Sequence, residues 1–314
     1  MTKYSYVIDL TKKYLRCGLF LMKTGSKIKT ERERLRPGID GLILARKVHL
    51  LISAINEERN IGIEQIGAIG ICLPSENEAD YQEILDMFEC KDTDFDNLLF
   101  TFFEKEVPIY KVNKPHITPF SPQRMYRKLA HSVYIVQMGE KVKAGYRNIN
   151  EIGTGYRSMA GNIGNMTLLD HNNNKITLND VASSGAICGY VSQLIKSEKS
   201  VFQDGRKVNL KNIYNAAQIN DPVAVKALDR AVHYLALALT QVALILDPQV
   251  FVINSGVTAN YQLHEFIVEK YSTLAHEKYK NIPFFVLNGS QNEHFFGMAQ
   301  YLRRYWYSLD DRFI

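Results

Sequence analysis

The chain has 314 residues, 46% of them hydrophobic, enough for one large or two medium domains with proper cores. Charged residues at 23% are ordinary for a water-soluble chain, and no apolar run reaches bilayer-crossing length. The net charge of +5 is no nucleic-acid signature by itself.

The first ten residues, MTKYSYVIDL, lack a small-residue cleavage site and run straight into a strand-like pattern, so a cytoplasmic protein without a signal peptide is expected. Cys17, Cys72, Cys90 and Cys188 are far apart in sequence, with no CxxC or Cys/His ligand spacing. They read as small buried hydrophobes in a reducing compartment, with no structural zinc. Charge is uneven: the first sixty residues are basic, 61–110 acidic, and 111–147 basic again. The acidic run reads as a solvated helix face and loop.

Tyr6–Asp9 and Leu15–Met22 read as two strands joined by the turn Leu10–Tyr14. Gly41–Ile55 carries apolar residues at helical spacing with Asp40 as N-cap. Ile66–Leu73 is a continuous apolar run that predicts a buried parallel strand. Asp96–Glu106 predicts a helix and Val107–Val112 a strand. His131–Gln137 is a strand with Val142–Tyr146 as an antiparallel neighbour. The GTG at Gly153–Gly155 reads as a turn. Leu178–Leu194 and Val223–Leu246 predict helices, the second stopped at Asp247–Pro248. Val250–Ile253, Leu263–Leu274, Phe284–Leu287 and Phe296–Trp306 predict strand, helix, strand and a final helix. Strands alternate with helices in both halves, so the class is α/β. The halves share a loose strand–strand–helix–strand logic without a visible sequence repeat.

Six segments, in order, resemble the motifs of the ROK family (repressors, open reading frames and sugar kinases). Tyr6-Val-Ile-Asp9 stands where that family has its first phosphate loop, D-x-G-G-T, and Ile66–Pro74 resembles its strand ending in x-P-G. Val107–His116 resembles the strand and turn carrying N-D. Met138–Asn165 resembles the second phosphate loop followed by G-E-i-G-H, with Gly139, Ala144–Gly145, Gly161 and Gly164 in frame. Leu178–Ile187 and Leu246–Val257 resemble the l-E helix start and the l-D-P strand with its adenine-site glycines. The resemblance implies a duplicated actin-like ATPase (ribonuclease H-like) fold, two domains around a central cleft. It implies a small domain over 1–117 plus 298–314 and a large domain over 118–297.

The chemistry-bearing positions depart from that pattern. A phosphate loop needs glycines so that backbone N–H groups approach the phosphates. The first loop reads Asp9-Leu-Thr-Lys-Lys13, without glycine, and the second carries Glu140, an anion that repels phosphate. Lys114 follows Asn113 where the family's catalytic aspartate stands, and a protonated lysine accepts no proton. Asn162 replaces the sugar-binding glutamate, Asn165 the zinc-ligating histidine, and Asn179 the later glutamate. Asp170-His-Asn-Asn-Asn-Lys-Ile stands in place of the cysteine-rich zinc segment.

These departures predict a non-catalytic relative that binds a sugar or sugar phosphate in carbohydrate metabolism or its transcriptional regulation. The expected ligand residues are Asn113, Lys114, Asn162, Asn165 and Asn179. A degenerate nucleotide site would comprise Asp9, Lys12, Gly139, Lys141, Asn254, Ser255 and Gly256. Lys114 is expected to face the cleft, giving it a cationic wall; Lys12, Lys13 and Lys143 read rather as solvated surface, and the asparagines equally as turn residues. His49, His116, His131, His171 and His233 have no ligand spacing. The family further implies a homodimer. No cofactor is expected, no membrane contact, and no DNA binding by this chain alone, since no helix-turn-helix precedes the first strand. The competing expectation is an ATP-dependent sugar kinase using ATP and magnesium through unusual loops; a scaffold protein that keeps only the dimer surface is a third.

Overall fold

The structure is a computed structural model, and it describes every residue except 1–2, 12–13, 37, 74–85, 87–96, 103–106, 122–131, 149–150, 157–158, 255–262, 288–292 and 311–314. The chain divides into two compact units, one of Met1–Arg124, Gly155–Met159 and Asn292–Ile314, the other of Met125–Thr154 and Ala160–Gln291.

The first unit is built on β1 (Tyr4–Leu10), β2 (Tyr14–Leu21), β3 (Ser26–Arg34), β4 (Ile66–Leu73) and β5 (Ile109–Asn113), in sheet order β3-β2-β1-β4-β5. β1, β2 and β3 form an antiparallel meander, and β4 and β5 add in parallel. β1 and β4 are almost wholly buried, β4 as its continuous apolar run requires. Helix α1 (Gly41–Arg59) covers one face with Leu44, Ala45, Val48, Ile52 and Ile55. Asp40 caps it as expected, its Oδ1 accepting the Ile43 N–H at 2.7 Å, and Asn60 ends it in the left-handed region at φ 52°. A short helix α2 (Lys114–Ile117) follows β5 directly. The final helix, α8 (Glu293–Asp310), packs on β1 and β4. A Cβ on Gly70 would lie 2.5 Å from the Met298 side chain, so glycine there is what lets the helix approach the sheet.

The second unit repeats this plan. It contains β6 (Ser132–Met138), β7 (Val142–Asn148), β8 (Glu151–Ile152), β11 (Val250–Asn254) and β12 (Phe284–Val286), in order β8-β7-β6-β11-β12. Again three antiparallel strands are followed by two parallel ones. Its helices are α3 (Asn179–Ala182), α4 (Ser184–Leu194), α5 (Leu210–Gln218), α6 (Pro222–Leu246) and α7 (Leu263–Leu274). Helix α6 is the only one among the described residues long and apolar enough to cross a membrane, but it is the core helix of this unit: Leu228, Val232, Leu235, Leu239 and Val242 are buried in the main apolar cluster. Asp221 caps it onto Ala224, and Asp247 ends it in the left-handed region. A small hairpin of β9 (Thr167–Leu169) and β10 (Lys175–Thr177) completes the unit.

Beyond the short elements β8, β9, β10 and α2, which the sequence expectation does not include, three elements differ from it. β3 has the sequence SKIKTERER, which shows no apolar alternation because an edge strand keeps both faces partly wet. α5, which the sequence expectation does not include, carries Leu210, Ile213, Tyr214 and Ala217 at helical spacing, a clear stripe on a helix of only nine residues. The helix expected over Leu178–Leu194 is two helices. Ser183 is extended (ψ 157°) and its Oγ caps the second, accepting from Ala186 at 3.2 Å, while the Ser184 N–H turns away to the Gly139 carbonyl at 2.8 Å. Of the helix expected over 96–106, residues 97–100 are helical, and 96 and 103–106 fall outside the described residues.

Candidate functional site

Ligands in open sheets with parallel strands gather beyond the carboxyl ends of those strands. In the first unit the ladder brings three such ends level: Asp9 on β1 faces Arg16 on β2 and Cys72 on β4, and Leu73 faces Asn113 on β5. Lys114, the first residue of α2, and His294, in the first turn of α8, reach back to the same point. Lys114 Nζ lies 2.5 Å from Asp9 Oδ1, Arg16 Nη2 2.5 Å from Oδ2, and His294 Nε2 3.1 Å from Oδ2. The Arg16 guanidinium also lies over the Phe295 ring, 4.4 Å from its centroid.

These side chains are mostly enclosed within the unit: Asp9 is 8% exposed, His294 14%, Lys114 16% and Arg16 17%. Burial pushes the Asp9 carboxyl up, but the His294 hydrogen bond and the Lys114 charge more than reverse this, holding it far below the usual carboxylate range. Burial is also the largest influence on His294 and lowers it; Asp9 opposes, while Lys114 and Arg16 add to the lowering. The Cys72 thiol is pushed well up by burial and by Asp9, against Lys114 and Arg16.

Lys114, expected to give the cleft a cationic wall, is paired with an anion. Its charge is directed at Asp9, because the β1–β4–β5 ladder places the lysine beside the carboxylate. Asn113 is half-buried and precedes α2 without a capping hydrogen bond from its side chain. Arg16 and His294 are the members of the cluster that sequence reasoning passed over. Arg16 was legible only as the cross-strand partner of Asp9, and His294, 285 residues from Asp9, gave no local signal.

The hairpin turns at the two phosphate-loop positions are tied by hydrogen bonds. In the first, Thr11 N–H donates to the Tyr14 carbonyl (2.9 Å) and Tyr14 N–H to Thr11 Oγ1 (2.9 Å). Lys12 lies outside the described residues. In the second, the Gly139 carbonyl accepts from Ser184, and the Val142 N–H donates to Asn179 Oδ1 at 2.8 Å. Lys141 is exposed. A cradle for phosphate needs N–H groups aimed outward, and here the Thr11, Tyr14 and Val142 N–H groups are spent inside the protein.

Asn162, Asn165 and Asn179 all belong to the second unit. Two of them meet: Asn179 Nδ2 donates to Asn165 Oδ1 at 3.3 Å. Asn179 thus makes hydrogen bonds within the protein from both ends of its amide. Asn162 is half-buried and Asn165 exposed. Gly161 holds this segment against β7. Its φ is +87°, its carbonyl accepts from Ala144 at 2.8 Å, and a Cβ there would collide with the Ala144 carbonyl oxygen. Asn254 closes β11 opposite Gln137; Ser255 and Gly256 fall outside the described residues. Gly153–Gly155 is an irregular segment following β8.

At the position of the zinc segment stands the β9–β10 turn. Asp170 Oδ1 accepts from the Asn172 and Asn174 N–H groups, both at 2.8 Å, and Asn173 takes the left-handed conformation at φ 61°. Hydrogen bonds from Asn174 lower the Asp170 carboxyl. Among the described residues no three His, Cys, Asp or Glu side chains converge as a metal site. His49 stacks on Phe102, His116 is buried in α2, His171 is exposed and His233 packs on Tyr234; His131 lies outside the described residues.

Solved structures with the same fold include a ROK transcriptional regulator that is a homologue of the E. coli Mlc protein (TM-score 0.76, 16% identity, 97% of this chain and 78% of that one). Others are a ROK hexokinase from Thermus thermophilus (0.71, 16%, 98% and 99%) and a ROK glucokinase from Streptomyces griseus in complex with glucose and AMPPNP (0.67, 15%, 96% and 99%). At these identities the likeness establishes the fold, which is actin-like. No curated protein sequence matches the chain. The ROK family pattern itself matches residues 42–304, most of the sequence, and the chain belongs to the ROK family.

Proposed function

We propose that this protein binds a sugar, free or phosphorylated, without transferring phosphate, and acts as a cytoplasmic sensor in carbohydrate metabolism or its transcriptional regulation. The observation that carries the reading is Lys114. It occupies the position that the motif resemblance gives to the catalytic aspartate, and it is committed to Asp9 at 2.5 Å. An ammonium has three donors and no lone pair, so it cannot take the proton of a sugar hydroxyl. The hydrogen-bonded turns at both phosphate-loop positions support the same reading. Removal of a general base alone costs about 10²–10⁴ in rate. In this reading the sugar is met by neutral amides, chiefly Asn162, with Asn179 supporting from behind. Neither zinc nor ATP is required, the protein pairs as a homodimer, and it does not contact DNA itself.

The second reading, an ATP-dependent sugar kinase, is favoured by the fold likeness along nearly the full length of the two sugar kinases. Isothermal titration with Mg-ATP, then with hexoses, amino sugars and their phosphates, separates the two. Heat from one sugar or sugar phosphate with none from ATP is expected. ATP binding that tightens in the presence of a sugar would overturn the sensor.

A further inference from the structure

His294 faces a donor and an acceptor with the same nitrogen. Its Nε2 is 3.1 Å from Asp9 Oδ2 and 3.4 Å from Arg16 Nη2. The guanidinium only donates and the carboxylate only accepts, so the neutral ring serves one of them through either tautomer. A protonated ring would donate to Asp9, but it would be the third positive charge, with Arg16 and Lys114, on one carboxylate in an enclosed place.

The other contacts of this turn tie it to its surroundings. The His294 carbonyl accepts from the Cys72 thiol on β4 at 3.8 Å, Glu293 pairs with Ser121, and Gly297 lies close against the Ile117 carbonyl at the end of α2. Among the described residues the charged and titratable groups facing the ring are therefore Asp9 from β1, Arg16 from β2, Cys72 from β4 and Lys114 from α2, with Glu293 beside it on its own helix.

We propose that His294 is a proton-sensitive latch: neutral, it pins the first turn of α8 to the ends of β1 and β2, and protonated, it releases that turn together with α2, which carries Lys114. The physical ground is the count of charges at the node. Desolvation and two neighbouring cations act against the imidazolium, and Asp9 acts for it. The latch stands whether or not the protein binds a sugar.

The chain's single tryptophan, Trp306, lies in α8, twelve residues after His294, and its emission is the optical readout. Emission is followed from pH 7.5 to pH 4.5 in the full chain and in His294→Gln, whose side-chain amide keeps an N–H donor and never charges. A reversible emission change below pH about 6.5, the ordinary histidine value, is expected in the natural protein and absent in the variant. The same transition in both, or none in the natural protein, overturns the latch. Should His294→Gln fail to fold, histidine ring proton resonances of the natural protein decide: a tryptophan transition that no histidine titration accompanies also overturns it.

Discussion

Replacing Asp9 by alanine removes the one anion that Arg16, Lys114 and His294 share. Deleting one partner of a buried ion pair costs about 3–5 kcal/mol, because the remaining charge stays enclosed without compensation. Here two cations remain, one from each carboxylate oxygen, about 6 Å apart; with an effective dielectric of about 20 their repulsion is roughly 3 kcal/mol. Both side chains keep 16–17% exposure and can swing toward water, which relieves much of that repulsion. The expected loss for Asp9→Ala is thus about 3–5 kcal/mol. Lys114→Ala is milder, about 1–2 kcal/mol, since Asp9 keeps Arg16 and His294. The double variant should be less destabilised than the sum, by about 1–2 kcal/mol, because removing Lys114 also removes one of the stranded cations. Urea unfolding followed by Trp306 emission reads the unit that holds the node. A loss under about 1 kcal/mol for Asp9→Ala, or equal losses for the two single variants, would refute the shared-anion argument.

Acid should show the same node. The folded-state Asp9 carboxyl is depressed, so its contribution is present above the unfolded value of about 3.9 and is lost as pH falls below it. Unfolding midpoints measured from pH 5 to pH 2 should drop less steeply in Asp9→Asn than in the natural protein. Gly161→Ala combines positive φ with a clash on a backbone carbonyl, and about 2–4 kcal/mol of destabilisation is expected by denaturant melting; a neutral result would mean that the segment is not seated on β7. Asn179→Ala leaves the Val142 N–H without its acceptor, at about 1–3 kcal/mol, and should weaken sugar binding in calorimetry by loosening the Asn165 segment. Ser183→Ala removes the cap of α4 and should cost about 1 kcal/mol, checked by thermal melting.

Much of this protein was legible in the chain itself, for local reasons. Asp40 and the apolar spacing of 41–55 place α1; the unbroken run Ile66–Leu73 makes a buried strand; and Asp247-Pro248 stops α6, because capping, periodicity and proline sterics act within a few residues. The family motifs were legible too, as were the departures Lys114, Asn162, Asn165 and Asn179. β3 stayed hidden because charge masks the period at a sheet edge; α5 was legible in the spacing of Leu210, Ile213, Tyr214 and Ala217, though its stripe is short. Only the tertiary structure shows that the two sheets share one strand order without a visible sequence repeat, since pairing depends on which backbones lie side by side and not on which residues they carry. It alone shows Lys114 paired with Asp9 and Asn179 accepting from the Val142 N–H. It alone brought in Arg16 and His294. Such contacts join residues up to 285 positions apart, and no local pattern encodes them, because the ladder register of β1, β2, β4 and β5 and the docking of α8 set the distances.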